Sequence, residues 1–202
     1  MLFVVSGPSG CGKSTLVRHV LETLPDVAFS VSHTTRPRRQ GEEEGRDYHF
    51  ITSEEFERFI GEDRFVEWAV VHGHYYGTAK SELERNPSRP RDLLLDIDVQ
   101  GARQIRSRHR GGLFIFILPP SLAVLRERLE SRGKDSPDVI ERRIAAAAAE
   151  IRDYSRFDYI IINDDLPSAQ RELVSIILSE RCRLAERREA VIPIVRSFAE
   201  SE

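Results

Sequence analysis

The sequence predicts an α/β fold in which helices cover both faces of a doubly wound parallel sheet. Four apolar runs of four to six residues are typical of strands buried on both faces, and they lie at 2–5, 93–97, 113–118 and 159–162. Amphipathic segments typical of helices alternate with these runs, at 13–24, 99–108, 121–132, 137–154 and 167–188. Strand–helix alternation is the pattern of a parallel sheet, and 202 residues suffice for one such domain.

The stretch from residue 31 to residue 90 breaks this alternation. Shorter alternating segments lie around 48–51 and 65–71, and Thr52 and Glu55 have the spacing of a helix capping box. We therefore predict one domain over 1–202, in which a small, partly β insertion at 31–90 interrupts a core formed by 1–30 and 91–202. The proline-containing segment 86–90 is the predicted link back to the core.

Composition excludes several classes of protein. Thirty basic and 33 acidic residues leave a net charge of −3, so the chain has no overall attraction for a nucleic-acid backbone. No apolar run approaches the ~18–20 residues of a membrane-spanning helix, and the first residues lack the pattern of a signal peptide. Cys11 and Cys182 do not have the spacing of a metal or disulfide motif. We expect a cytoplasmic protein whose partners include neither nucleic acid nor a membrane.

A glycine-rich segment follows the first predicted strand and opens the first predicted helix. It matches the phosphate-loop pattern G-x-x-x-x-G-K-[ST] with Gly7, Pro8, Ser9, Gly10, Cys11, Gly12, Lys13 and Ser14. Backbone N–H groups of such a loop wrap a phosphate chain, and the helix N-terminus adds positive potential. In this motif the lysine reaches the β- and γ-phosphates, and the final hydroxyl is a ligand of Mg²⁺. The pattern predicts a nucleoside triphosphate site.

Two carboxylates end the second apolar run, at Asp96 and Asp98. Side chains two residues apart on a strand share one face, and the carboxyl ends of parallel strands form the edge at which such sheets bind ligands. A turn at the strand end explains one aspartate, whereas two on one face favour a functional role. We expect this element to lie near the Mg²⁺.

The insertion concentrates residues that can bind a phosphorylated acceptor. They are Ser32, Arg36, Arg38, Arg39, Tyr48, Glu67, Tyr75, Tyr76 and Thr78. Arginines and tyrosine hydroxyls bind phosphate, and a carboxylate beside hydroxyls suits a base that presents hydrogen-bond donors. Guanine presents such a donor pair at N1–H and N2–H₂, and adenine does not. Arg38 and the acidic run 42–44 also fit a solvated loop, and we interpret them as surface.

Eight segments occur in an order typical of one enzyme family. They are SGPSGCGKST (6–15), SHTTR (32–36), GRDYHF (45–50), FVEW (65–68), YYGT (75–78), LDIDVQG (95–101), RLESRG (128–133) and NDDL (163–166). Together they resemble guanylate kinase, and the resemblance covers nearly the whole chain. It implies a phosphate-loop kinase of the nucleoside monophosphate type. Such an enzyme uses ATP and Mg²⁺ to convert GMP, and also dGMP, to the diphosphate, which recycles guanine nucleotides.

The resemblance also implies a role for each matching residue. Thr15 would join the phosphate loop in binding ATP, and Asn163 would lie near the adenine. The GMP-binding residues would be Ser32, Glu67, Thr78 and Asp98 at the base, and Arg36, Arg39, Tyr48 and Tyr76 at the phosphate. Ser14 would bind Mg²⁺ directly and Asp96 through water. Lys13, Arg132 and Arg143 would neutralise the transferring phosphoryl group, with both arginines on a mobile lid at about 130–145.

Helix geometry gives an independent argument about this lid. The predicted helix that begins at residue 137 has one apolar stripe, formed by Ile140, Ile144, Ala147 and Ile151. At ~100° per residue, Arg143 lies about 60° from Ile140 and Arg142 about 160° from it. We therefore expect Arg143 to border the inward face of the helix and Arg142 to point to solvent.

Two other functions remain as alternatives. Guanylate-kinase-like domains also serve as non-enzymatic interaction modules, but these are expected to lose the phosphate-loop lysine or the lid arginines. The present chain has Lys13, Arg132 and Arg143. A kinase that acts on a sugar phosphate has no use for a carboxylate that reads a base, which argues against the second alternative. Whether the protein is a monomer or a homo-oligomer is left open by the sequence.

Overall fold

The computed structural model describes residues 1–84, 92–109, 111–131 and 136–199. The strands are β1 (Leu2–Ser6), β2 (Val27–Phe29), β3 (His33–Thr34), β4 (His49–Phe50), β5 (Phe65–Val71), β6 (His74–Ala79), β7 (Asp92–Asp96), β8 (Gly112–Leu118) and β9 (Tyr159–Ile162). The α-helices are α1 (Lys13–Thr23), α2 (Ser53–Gly61), α3 (Lys80–Leu83), α4 (Val99–Arg108), α5 (Leu122–Glu130), α6 (Pro137–Ile151), α7 (Leu166–Arg181) and α8 (Leu184–Ala199), and a 3₁₀ helix covers Tyr154–Arg156.

The main sheet has five parallel strands in the order β2-β7-β1-β8-β9. Every residue of the central strand β1 is buried. Phe3 and Val5 pack with residues of α1 and α7 on one face, whereas Leu2 and Val4 pack with residues of α4 on the other. Burial on both faces explains why the strands are continuous apolar runs. The predicted doubly wound parallel sheet is confirmed.

A second sheet lies within the predicted insertion, with four strands in the order β4-β3-β6-β5. Helix α2 covers it through Phe56 and Phe59, which pack against Phe65. The helix begins at the predicted cap, because the Thr52 hydroxyl accepts a hydrogen bond from the Glu55 N–H at 3.2 Å. The predicted end of the insertion and the predicted link at 86–90 lie outside the described residues.

Helices α5 and α6 pack against each other beside the main sheet. Their contact is formed by Leu125, Leu129, Ile140, Ile144 and Ala147. The last three belong to the predicted apolar stripe of α6, which confirms the phase of that helix. The helix ends at Ile151, and the last residue of the predicted segment, Tyr154, begins the 3₁₀ helix.

The prediction of a single helix at 167–188 is wrong, because the structure has two helices that are separated at 182–183. The stripe of α7 is buried at Leu173 and Ile177, whereas α8 has no buried residue. At the junction the Arg181 guanidinium donates to Asp92 at 2.6 Å and to Asp26 at 3.0 Å. The first helix therefore ends where its contact with the core ends.

Parallel pairing brings the ends of several strands to one edge of the main sheet. Val5 near the end of β1 lies opposite Asp96 at the end of β7. Strand β9 ends one residue before Asn163. The glycine-rich loop after β1, the carboxylates after β7 and the amide after β9 therefore share the edge at which parallel sheets bind ligands.

Candidate active site

The glycine-rich loop has a backbone that only glycine can adopt at its tightest points. Gly7 has a φ of 145° and Gly12 a φ of 96°. A Cβ atom at Gly7 would lie 2.3 Å from the Ile117 carbonyl oxygen, and one at Gly12 would lie 2.3 Å from Nδ2 of Asn163. Helix α1 follows without a side-chain N-cap or an acidic residue in its first turn. Its first N–H groups are therefore available to an anion.

Lys13 lies against this loop and is held by it. Its Nζ donates to the Gly7 carbonyl oxygen at 2.6 Å. Burial lowers the pKa of the ammonium group, but the Cys11 sulfur and the carboxylates of Asp96 and Glu150 raise it, and the net pKa lies above its usual value. Burial raises the pKa of the Cys11 thiol. The raised pKa favours the charged form of Lys13 beside the carboxyl groups of Asp96 and Glu150.

Ser14 and Asp96 lie together beside the lysine. The Ser14 hydroxyl donates to Oδ2 of Asp96 at 3.5 Å. Burial raises the pKa of this carboxyl group, and Lys13 and Ser14 act in the opposite direction. A hydroxyl and a carboxylate are oxygen ligands of the kind that Mg²⁺ accepts, and Mg²⁺ takes most of its other ligands from water and phosphate. Among the described residues, no three His, Cys, Asp or Glu side chains form a metal-binding group.

Asn163 contacts the loop directly. Its Nδ2 donates to the Cys11 carbonyl oxygen at 2.7 Å, and the residue is buried. Arg128 donates to the Asn163 carbonyl oxygen at 2.8 Å. Asn163 therefore supports the loop in this structure, and its predicted contact with adenine stays a prediction. Arg128 lies within one of the eight segments, but nothing in its sequence context predicted this contact.

A second group of predicted residues meets in the insertion. The Arg36 guanidinium donates through Nε to the Tyr76 hydroxyl at 3.1 Å, and its Cζ lies 5.3 Å from the centre of the Tyr48 ring. Burial raises the pKa of the Tyr48 hydroxyl, which therefore stays a donor. The Arg39 side chain is exposed, and its backbone N–H donates to Oε2 of Glu42 at 2.8 Å.

The interpretation of the acidic run 42–44 as surface is wrong for Glu42, which is half-buried, whereas Glu43 and Glu44 are exposed as predicted. Glu42 binds the Arg36 guanidinium through both carboxylate oxygens, at 2.7 and 3.1 Å. Glu44 accepts hydrogen bonds from the Phe50 N–H at 2.9 Å and faces the His49 ring at 3.0 Å. In the sequence, the one indication of the contact between Glu42 and Arg36 is that the two residues have opposite charges and lie six positions apart. Chain reversal in the loop brings the two groups together.

Three of the four predicted base-reading residues, Glu67, Thr78 and Asp98, lie together at the junction of the two sheets. Glu67 and Thr78 are buried, and the Thr78 hydroxyl donates to Oε1 of Glu67 at 2.5 Å. Burial raises the pKa of Glu67 to about 7, with Asp98 raising it further against the effect of Thr78. Asp98 also caps α4 by accepting from the Gly101 N–H at 2.9 Å. Ser32 is buried next to β3.

Helix α6 presents an arginine and a glutamate toward the phosphate loop. Arg143 is half-buried and donates to the Ser9 hydroxyl at 2.5 Å, whereas Arg142 is exposed, as the helical phase predicts. Glu150 was missed, although it lies seven residues after Arg143 and so on the same face. Burial raises the pKa of Glu150 to about 7, and Lys13 lowers it. The predicted lid residue Arg132 lies outside the described residues.

The chain is similar to guanylate kinases in sequence and in structure. Residues 1–180 match the family model described as guanylate kinase. The guanylate kinase of Geobacter sulfurreducens is 51% identical over 194 residues, which are 96% of each chain. That of Geobacter metallireducens is 50% identical over 183 residues, which are 91% of this chain and 90% of the relative. The crystal structure of guanylate kinase from Anaplasma phagocytophilum has a TM-score of 0.74 at 34% identity, covering 91% of this chain and 86% of that one.

These similarities extend over both sheets and over the segments that hold the predicted site residues. Within the described residues, no helix is long and apolar enough to cross a membrane. A family match over most of the length, with relatives at about half identity, establishes descent from one enzyme family. The chain belongs to the guanylate kinase family, whose members transfer a phosphoryl group from ATP to GMP.

Proposed function

We propose that the phosphate loop, the inserted sheet and α6 hold ATP and GMP for direct phosphoryl transfer, which produces ADP and GDP. The observation that supports this most strongly is a buried carboxylate, Glu67, that lies with Thr78 and Asp98 near a complete phosphate loop. The oxygen of the GMP phosphate is the nucleophile, so no protein group forms a covalent intermediate. Catalysis consists of positioning and charge neutralisation.

The donor site is the edge that contains the phosphate loop. Residues 7–14 and Thr15 form the site for the phosphates of ATP, which the available backbone N–H groups of the loop and the N-terminus of α1 bind, and Lys13 neutralises the charge that develops on transfer. Asn163 lies on the adenine side. Ser14 would hold Mg²⁺ directly and Asp96 would hold it through water. When bound, the metal ion neutralises charge on the phosphates.

The acceptor site lies between the second sheet and the core. Arg36, Arg39, Tyr48 and Tyr76 bind the GMP phosphate, and the contacts of Arg36 with Tyr76 and Tyr48 support this grouping. Ser32, Glu67, Thr78 and Asp98 bind the guanine. The ionised Glu67 carboxylate accepts from N1–H and N2–H₂. Because none of these contacts requires the 2′-hydroxyl group, we expect dGMP to be a substrate as well.

A lid at about 130–145 completes the site. Arg143 and Arg132 bind the phosphoryl group as it moves between the nucleotides, and the contact of Arg143 with Ser9 of the phosphate loop supports this role. We also propose that residues 31–90 act as the GMP-binding part of a single domain over 1–202. A cytoplasmic location agrees with the two cysteines, which form no disulfide.

A panel of nucleoside monophosphates tests this proposal. Each of GMP, dGMP, IMP, AMP and CMP is mixed with ATP and Mg²⁺, and the release of ADP is followed. We expect rapid release with GMP and dGMP, slower release with IMP and almost none with AMP or CMP, because adenine and cytosine leave the buried carboxylate unpaired. Strong release with AMP or CMP and none with GMP would overturn the assignment. No release with any nucleotide would favour a non-enzymatic interaction module.

A further inference from the structure

Strand β5 carries Glu67 and forms one edge of the second sheet. An edge strand leaves alternate backbone N–H and C=O groups without a partner strand. Helix α4, which belongs to the main-sheet core, packs against this edge. Two α4 side chains, Gln104 and Arg108, form hydrogen bonds with the backbone of β5.

The Gln104 carboxamide binds both backbone groups of Trp68, the residue that follows Glu67. The Trp68 N–H donates to Oε1 of Gln104 at 3.3 Å, and Nε2 of Gln104 donates to the Trp68 carbonyl oxygen at 2.6 Å. A carboxamide has an acceptor and a donor side by side, which match the N–H and C=O of an edge residue. Gln104 therefore takes the place of a neighbouring strand at this point.

A β-bulge lies on the other side of Glu67. Phe65 pairs with Ala79, but Glu67 pairs with Thr78, so Val66 is the extra residue. A bulge changes the direction of nearby side chains and leaves a backbone group unpaired. Nη1 of Arg108 donates to the Val66 carbonyl oxygen at 3.0 Å. Helix α4 thus binds the backbone immediately before and immediately after Glu67.

Gly101 in the first turn of α4 provides the space for the Glu67 carboxylate. A Cβ atom at Gly101 would lie 2.3 Å from Oε2 of Glu67 and 3.3 Å from Oδ1 of Asp98. Alanine is the better helix former at an interior position, so helix stability does not explain a glycine here. The close approach of the Glu67 carboxylate to the backbone of α4 explains the glycine.

We propose that α4 positions the base-reading carboxylate and so contributes to the selectivity of the enzyme for guanine. Gln104 and Arg108 hold the backbone on either side of Glu67, and Gly101 leaves the space that its carboxylate occupies. Gln104 and Arg108 act through Glu67 and are positioning residues, not catalytic ones. The inference rests on the proposed role of Glu67 in binding guanine, which is tested separately below.

The first test replaces Gln104 by methionine, which keeps the length of the side chain and removes both hydrogen bonds. We expect kcat/KM for GMP to fall about 10-fold and kcat/KM for IMP to fall less, because IMP lacks the 2-amino group that also depends on Glu67. The KM for ATP should stay within about 2-fold of wild type. Ser107→Ala is the matched control, since Ser107 is exposed on the same helix and its hydroxyl donates to the backbone carbonyl oxygen of Gln104, which Gln104→Met keeps.

The second test is Gly101→Ala. It keeps the inference testable if the Gln104→Met variant fails to fold. The added Cβ must displace the Glu67 carboxylate, so the ratio of kcat/KM for GMP to that for IMP should fall about 10-fold or more. The midpoint of thermal unfolding should change little, because alanine favours the helix. Unchanged GMP-to-IMP ratios in both Gln104→Met and Gly101→Ala would overturn the inference.

Glu67→Gln separates this inference from the proposed function. If Glu67→Gln lowers the GMP-to-IMP ratio while Gln104→Met and Gly101→Ala keep it, the carboxylate reads guanine without help from α4 and only the present inference fails. If Glu67→Gln leaves the ratio unchanged, the proposed reading of guanine and the inference both fail. A lower ratio in all three variants, with wild-type values in Ser107→Ala, supports both.

Discussion

The phosphate loop and the proposed base-reading site are built in different ways. The loop is one contiguous segment, and its binding groups are backbone N–H groups that the local conformation and the start of α1 bring together. The base-reading site combines side chains from β5, β6 and the start of α4, and it depends on how a core helix meets the edge of a second sheet. We therefore expect changes in the loop to remove the chemistry, and changes in the base-reading site to alter which nucleotide is used.

Lys13→Ala is expected to have the largest effect. The variant should fold, but kcat should fall by roughly 10³–10⁵-fold, because the ammonium neutralises charge that develops on the transferring group. Circular dichroism tests folding, and steady-state kinetics with saturating ATP and GMP measure kcat. Turnover close to that of wild type would contradict the assignment of the loop as the donor site.

Glu67→Gln is expected to act on selectivity. The substitution keeps the shape, removes the charge and places an amide donor where guanine needs an acceptor, so kcat/KM for GMP should fall roughly 10²–10⁴-fold. The loss for IMP should be smaller, and the KM for ATP should change little. Initial rates with each acceptor measure these values. Equal losses with GMP and IMP would mean that Glu67 supports the fold and does not read the base.

Arg143→Ala and Arg142→Ala form a matched pair on one helix. Arg143 contacts the phosphate loop, so Arg143→Ala is expected to lower kcat about 10²-fold. Arg142 is exposed, so Arg142→Ala should change kcat less than about 2-fold. Because both variants keep a good helix former, α6 should stay folded. Small and equal effects on kcat would show that a residue other than Arg143 neutralises the transferring phosphoryl group from the side of the lid.

Titration of Glu67 is expected to have the smallest effect. Burial raises its pKa to about 7, and the ionised form is the one proposed to bind guanine, so the affinity for GMP should rise about 10-fold from pH 6 to pH 8. The contribution of Glu67 to stability has the opposite sign. A pKa above the unfolded value means that its stabilising effect on the folded protein is present at acid pH and is lost as the pH rises through 7.

Calorimetric titration of GMP at several pH values measures the first effect, and thermal unfolding without nucleotide measures the second. Glu67→Gln should flatten both dependences. A pH dependence of GMP affinity that is the same in this variant would belong to the phosphate of GMP, whose second pKa is about 6, and not to Glu67.

Much of the fold follows from local patterns. The parallel strands were predictable because burial on both faces demands continuous apolar runs, and the α6 stripe because a helix repeats every 3.6 residues. The break between α7 and α8 was not predictable, since a helical pattern continues across residues 182–183 and only the end of the core contact stops it.

The candidate site also has a part that local sequence patterns predict and a part that they do not. The sequence by itself determined the phosphate loop, because its glycines, its lysine and the helix that follows are neighbours in the chain, and it identified Glu67 and Arg143 as candidates through residue type and helical phase. Only the tertiary structure decided that Glu42 binds Arg36, that Glu150 faces Lys13 and that Gln104 binds the backbone of Trp68. Those contacts join elements that the fold brings together from separate parts of the chain, or close a loop whose path no local pattern specifies. Side-chain partners of this kind are set by packing and not by local spacing.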